Sequence, residues 1–178
     1  MPLDEQIPDW SAIDTVLLDM DGTILDLSFD NYFWIEFMPQ VYADKNGMSL
    51  EQSQKYLWES YHGLEGTLQW YCLDYWSERL DLDIVELKYS VRDRVSFRHG
   101  AVAFLEFLVA QKKRVILVTN AHRKSLEIKL LNAEFHQYFD HLNSSHDFGY
   151  PKEDQRYWQK LEETFQFDPK RALFVDDS

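Results

Sequence analysis

The sequence is short of cysteine, glycine, proline and positive charge, and each shortage narrows what the chain can be. Its single cysteine, Cys72, excludes an intramolecular disulfide and any cysteine-rich metal cluster. Cys72 falls among aromatic residues at helical spacing, where a buried structural thiol is expected rather than a nucleophile. Six glycines and five prolines are scattered through 178 residues, without a repeat or a low-complexity tract. No apolar run is long enough to span a bilayer. The segment Met1 to Trp10 is acidic and lacks the basic region and apolar run of a signal peptide, so the cytoplasm is the expected compartment. Lysine and arginine number 18 against 31 aspartates and glutamates, a net charge of −13. Nucleic acid is excluded as a partner on that balance, because duplex binding needs a basic surface to displace counterions. An acidic protein can still hold a small anion, given a metal ion, a lysine or the amides of a helix start.

What remains is an ordinary globular composition, 45% hydrophobic and 28% charged, sufficient for one core domain with a small insertion. Three short apolar runs read as strands buried on both faces of a parallel sheet: Thr15 to Leu18, Arg114 to Val118, and Arg171 to Val175. His141 to Ser144 is a weaker candidate. Helical patterns lie between them, over Val102 to Val109, Ser125 to Leu131 and Asp154 to Phe165. Strands alternating with helices predict βαβ units, an α/β fold with a Rossmann-like parallel sheet. Ligands of such sheets bind beyond the carboxyl ends of the strands.

Residues 29–94 depart from that alternation. Helical spacing relates Phe33, Phe37 and Val41, then Leu50, Leu57, Trp58 and Tyr61, then Leu68, Tyr71, Cys72, Tyr75, Trp76 and Leu80. Gly47 and Gly63 punctuate the segment. The expected organisation is a core of residues 1–28 and 95–178, with 29–94 inserted as an all-helical cap.

Each strong strand stops at a polar residue suited to phosphate or metal. The first ends in Asp19-Met20-Asp21-Gly22-Thr23. Two carboxylates one residue apart repel each other without a cation, and with a third they make a hard oxygen cage for Mg²⁺. Gly22 permits a sharp turn that can aim the Asp21 carbonyl at the same ion. The second strand ends in Thr119-Asn120, a hydroxyl followed by amides expected to open a helix whose N-terminus can hold phosphate. Lys152 follows Gly149-Tyr150-Pro151 in a loop before a helix and can neutralise phosphate oxygens. Asp176-Asp177 end the last strand and can complete the metal shell. Taken singly, a turn aspartate pair, an ordinary cap, a solvated lysine and an acidic loop would account for these signals; their order and strand context set them together.

That order resembles the four motifs of the haloacid dehalogenase-like hydrolase superfamily, over essentially the whole chain. Further strings resemble the bacterial purine 5′-nucleotidase subgroup acting on GMP and IMP: Leu25-Asp26-Leu27, Asp30 to Trp34, Trp70 to Glu78 and Phe148 to Arg156. The resemblance implies a phosphate monoester as substrate and Mg²⁺ as cofactor. It implies Asp19 as nucleophile and Asp21 as general acid and base, with Asp19, the Asp21 carbonyl, Asp177 and Asp176 around the metal. Thr119, Asn120 and Lys152 would bind the phosphoryl oxygens. Keeping Asp21 favours phosphate chemistry over dehalogenation, which has no leaving oxygen to protonate. Two departures stand out: Pro151 precedes Lys152 where many relatives place a proline after it, and the chain stops at Ser178 where relatives continue with a helix and strand, so a shortened version of a longer enzyme is expected. A sugar phosphomutase or a binding protein on the same fold is the alternative reading. In the cap, Tyr32, Trp34, Trp70, Tyr71, Tyr75 and Trp76 are candidates to stack on a purine, and His122 and Arg123 to reach phosphate or ribose. Nothing in the sequence singles out Lys45, Lys55 or Lys88.

Overall fold

The computed structural model of the chain describes residues 8–177; the expectations for Met1 to Ile7 and for Ser178 lie outside the described residues. A parallel four-stranded sheet in the order β3-β2-β1-β4 is built from β1 (Thr15–Leu18), β2 (Arg114–Thr119), β3 (His141–Ser144) and β4 (Ala172–Val175). Three of these strands coincide with the strong apolar runs to within a residue, and the weak candidate is the edge strand β3.

The register explains why the central runs are apolar throughout. Val16, Leu17 and Leu18 of β1 lie beside Val115, Ile116 and Leu117 of β2. Val16, Leu18, Val115 and Leu117 face a layer that contains Leu105 and Leu108 of α7 (Ala101–Ala110) and Leu126 of α8 (Arg123–Asn132). Leu17, Ile116 and Val118 face the opposite way, onto Tyr157 and Leu161 of α10 (Gln155–Phe165). Both faces are thus covered, and between Thr15 and Asp19 in β1 and between Arg114 and Thr119 in β2 every residue is apolar. Each such side chain, fully buried, contributes about 1.5–3 kcal/mol.

Residues 28–94 form a second layer of helices. A continuous helical run comprises α1 (Ser28–Asn31), a π-helical stretch at Tyr32–Phe37 and α2 (Met38–Asn46). Pro39 supplies the cause of the π stretch: it has no N–H to donate back to the preceding turn, so the backbone ladder loosens there. Then follow α3 (Leu50–Tyr61), α4 (Leu68–Tyr71), α5 (Leu73–Leu80) and α6 (Ile84–Ser90). Phe33, Met38, Leu57, Leu73, Trp76, Leu80 and Ile84 form their own hydrophobic cluster. The chain enters and leaves this layer as an adjacent pair, Asp26 N donating to Ser96 O at 2.9 Å and Arg98 N to Ile24 O at 2.8 Å.

The expected helical faces are corrected in two places. Leu50 and Trp58, grouped with Leu57 by spacing, are 42% and 66% exposed, and only Leu57 is core. The third set does not lie on one helix, because the chain breaks at Cys72, which ends α4 and caps α5 by accepting from Tyr75 N at 3.4 Å. The break rotates the phase, so Leu73, Trp76 and Leu80 are buried instead. Cys72 itself is half-buried, not enclosed. Among the described residues no helix is long and apolar enough to cross a membrane.

Candidate active site

In this strand order the chain steps outward from β1 to β2 to β3 and then returns to the other side of β1 with β4. The ends of β1 and β4 therefore flank the point where the connections diverge, the place where open α/β sheets carry ligands. Asp19 follows β1 there, its amide donating to Val175 O of β4 at 3.0 Å. Asp176 and Asp177 follow β4. One carboxylate oxygen from each of Asp19, Asp176 and Asp177 lies within 4.8 Å of the others. Lys152 Nζ stands 2.6 Å from both Asp19 Oδ1 and Asp176 Oδ2. Residues separated by more than 130 positions in the chain thus meet around one point. Burial pushes the Asp19 carboxyl up to about 7, against the attraction of Lys152.

Gly22 makes the approach of Asp177 feasible. Its φ is +86°, a left-handed conformation, and a Cβ built there would lie 1.9 Å from Asp177 Oδ2.

Asp21 points elsewhere. Its carboxylate is 2.5 Å from Lys129 Nζ, which also reaches Asp30 Oδ2 at 2.6 Å, and Asp30 Oδ1 is 2.6 Å from Lys88 Nζ. The chain of charges alternates in sign, from Asp21 to Lys129 to Asp30 to Lys88, and both lysine side chains are 2% exposed. Lys88 lies over the rings of Phe29, Phe33 and Trp34. Burial raises Asp21 despite Lys129. Burial also opposes ionisation of Asp30, but Lys129 and Lys88 outweigh it and hold that carboxyl well below the usual range.

Thr119 and Asn120 are both buried at the end of β2. Thr119 Oγ1 accepts from Ala121 N at 3.0 Å. Asn120 Oδ1 accepts from Lys152 N at 2.8 Å, and its amide donates to both oxygens of Glu153, at 3.2 and 2.9 Å. Asn120 therefore fixes the loop that carries Lys152. The helix expected to open at Asn120 begins instead at Arg123, capped by His122, whose Nδ1 accepts from Lys124 N. Arg123 turns aside to pair with Asp147.

A cavity of about 1020 Å³ opens over this cluster, lined by Asp19, Asp21, Thr119, Asn120, Lys152, Asp176 and Asp177 below and by the helical layer above. Among the aromatic candidates, Trp34, Trp70, Tyr71 and Trp76 line it, as does Trp58, which was not among them. Tyr32 does not; it stacks on Phe37 with Arg94 over its ring. Tyr75 does not line it either and packs edge-on against Trp76. Lys88, Lys129, Asp30 and Glu153 were missed as site residues. The available signal was Lys129 lying four residues after Ser125, one turn along the buried face of α8, where an unpaired lysine would be untenable. Glu153 also accepts from Tyr71 OH at 2.9 Å, joining the helical layer to the sheet side.

Comparisons with known proteins place the chain among relatives of the same fold. The chain is 47% identical over 169 residues to a protein of Escherichia coli K12 named GMP/IMP nucleotidase YrfG, covering 95% of this chain and 76% of that protein. It superposes with a TM-score of 0.82 on a HAD phosphatase from Thermococcus onnurineus, 21% identical, over 93% of this chain and 78% of that one. An L-2-haloacid dehalogenase from Xanthobacter autotrophicus shares the fold at a TM-score of 0.61 and 18% identity, over 92% and 69% of the two chains. Residues 13–178 match the haloacid dehalogenase-like hydrolase family, and the chain belongs to that family.

Proposed function

We propose that this protein is a Mg²⁺-dependent phosphate monoester hydrolase of the purine 5′-nucleotidase type, acting on GMP and IMP through an aspartyl-phosphate. The reading rests on one juxtaposition: Asp19, at the end of a buried strand, lies 2.6 Å from Lys152 and clustered with Asp176 and Asp177. The donor set fits the cation. Three converging carboxylates are a hard oxygen site. Six carboxylates line the cavity against four lysines, so one divalent ion brings the formal balance to neutral before a phosphate enters. Bound by Asp19, Asp176 and Asp177, Mg²⁺ would offset the repulsion between carboxylate and phosphate.

An Asp19 oxygen attacks phosphorus, and the bond to the ester oxygen breaks as that oxygen takes a proton from Asp21. Asp21, now a carboxylate, removes a proton from water; the hydroxide attacks the aspartyl-phosphate, and phosphate leaves with Asp19 restored. Burial favours the protonated Asp21 that the first step needs, and Lys129 stabilises the carboxylate that the second needs. Lys152 and Thr119 would meet the phosphoryl oxygens where charge gathers, and Asn120 holds the Lys152 loop by accepting from Lys152 N.

We assign residues 29–94 as the cap and 1–28 with 95–178 as the core, with the paired strands of chain at 24–26 and 96–98 as the connection. Closure of the cap would keep bulk water from the aspartyl-phosphate. Trp34, Trp58 and Trp70 line a cavity large enough for a nucleotide, and the name of the E. coli relative supports a purine. Phosphate release measured over a panel of nucleotides and sugar phosphates, with and without Mg²⁺, is the test. GMP and IMP should exceed a generic chromogenic ester. Equal rates would remove the purine assignment; isomerised sugar phosphate without free phosphate would make the protein a mutase.

A further inference from the structure

A second group of ligating side chains converges outside the acidic cluster. Cys72, at the junction of α4 and α5, meets His122, the cap of α8, and His146, in α9 (Ser145–Phe148). One ligand atom of each lies within 4.8 Å of the other two. The imidazoles of His122 and His146 meet edge to face with centroids 4.8 Å apart. His146 Nε2 is buried and has no hydrogen-bond partner among the described residues. A buried ring nitrogen is ordinarily satisfied, because leaving it without a partner costs free energy. Here it sits among a thiol and a second imidazole, groups that do not supply a strong donor to it. The Asp74 carboxylate stands 3.6 Å from His122 Nε2, and with Nδ1 accepting from Lys124 N it is placed to enter as a fourth ligand.

We propose that Cys72, His122 and His146 form a site for a thiophilic transition-metal ion of the zinc type, distinct from the Mg²⁺ site. One thiolate and two imidazoles suit zinc or its analogues and not magnesium, which takes oxygen ligands. A tetrahedral ion with bonds of about 2.0–2.3 Å holds its ligand atoms roughly 3.5 Å apart, within reach of small rotamer adjustments from the observed spacing. The site also has a mechanical consequence. Cys72 belongs to the helical layer, whereas His122, the cap of α8, and His146, in α9, lie just beyond the ends of β2 and β3, and His122 lines the cavity. An ion bound there ties the two layers together beside the cavity mouth and restrains the opening that substrate entry and product exit require.

Cobalt is the probe. Metal-stripped protein is titrated with Co²⁺, and the absorption is followed for a near-ultraviolet thiolate-to-cobalt band and the intense visible bands of a four-coordinate ion. Because Cys72 is the only cysteine, a thiolate band reports this site and nothing in the carboxylate cluster can produce it. The expected result is a stoichiometric band that Zn²⁺ bleaches and excess Mg²⁺ does not. Cys72→Ser, which keeps an oxygen able to cap Tyr75 N, should lose the band while retaining its circular dichroism. Even outer-shell partners of metal ligands carry about 10–100-fold in affinity, so His146→Ala should weaken Co²⁺ binding by about tenfold or more. Asp177→Asn should leave the band unchanged. With Mg²⁺ saturating, zinc inhibition of phosphate release should need severalfold more zinc in Cys72→Ser. Absence of a thiolate band overturns the proposal, and so does His146→Ala with unaltered affinity, which would mark a lone thiol binding cobalt unaided.

Discussion

A methyl group at Gly22 would sit 1.9 Å from Asp177 Oδ2 in a backbone already held at φ +86°. Two penalties coincide: a non-glycine residue in a disfavoured conformation costs about 1–3 kcal/mol, and the carboxylate must move away from Asp19. Gly22→Ala should therefore weaken Mg²⁺ binding and lower kcat/KM by about 100-fold or more, read from activity against Mg²⁺ concentration; near-normal magnesium dependence would show that Asp177 is not held by this turn. Asp19→Asn keeps the size of the side chain and removes the proposed nucleophile. Turnover should fall by roughly four orders of magnitude with unchanged circular dichroism. These two positions were legible because Asp-x-Asp-Gly follows a strand whose every residue is buried, and a polar residue at the end of such a strand has nowhere to point but the ligand crevice. Lys88 was not legible, since its partner Asp30 lies 58 positions away and only packing brings them to 2.6 Å.

At the scale of elements, Asp21–Lys129–Asp30–Lys88 links the end of β1, α8, α1 and α6 through alternating charges inside a low-dielectric layer. Removing Lys129 strands the Asp21 carboxylate and leaves Asp30 with Lys88 alone, which costs about 3–5 kcal/mol. Lys129→Met should lose stability on that scale in urea unfolding, and Lys129→Met with Asp30→Asn should lose less than the sum of the two single changes. Strict additivity would mean that the charges are independently solvated. The strands were readable as unbroken apolar runs, and the helices over 101–110 and 155–165 because their apolar residues recur at helical spacing. The breaks were not. Cys72 interrupts a pattern that is regular on either side, and the π stretch before Pro39 shifts the phase of the helix without changing its composition. A period carries no mark of a local rotation.

At the scale of the whole molecule, a net charge of −13 repels an anionic substrate at distance, even with the cavity's own charge balanced by a bound divalent ion. Salt screens that repulsion over about 10 Å at 0.1 M. KM for a nucleotide should accordingly fall as ionic strength rises from low to physiological at fixed saturating Mg²⁺, with kcat little changed. A rising KM would indicate that local lysine attraction dominates the approach.

The order of strands and helices along the chain, the composition of the two covered sheet faces and the three polar strand ends were written in the sequence by itself, because burial on both faces imposes an unbroken apolar run and ends it abruptly. The tertiary structure alone decided which charges meet. Asp21 turns to Lys129, Lys152 bridges Asp19 and Asp176, and Cys72 comes beside two histidines from the other layer. Electrostatic and ligating contacts act over a few ångströms between residues far apart in the chain, and a one-dimensional pattern contains no such distances.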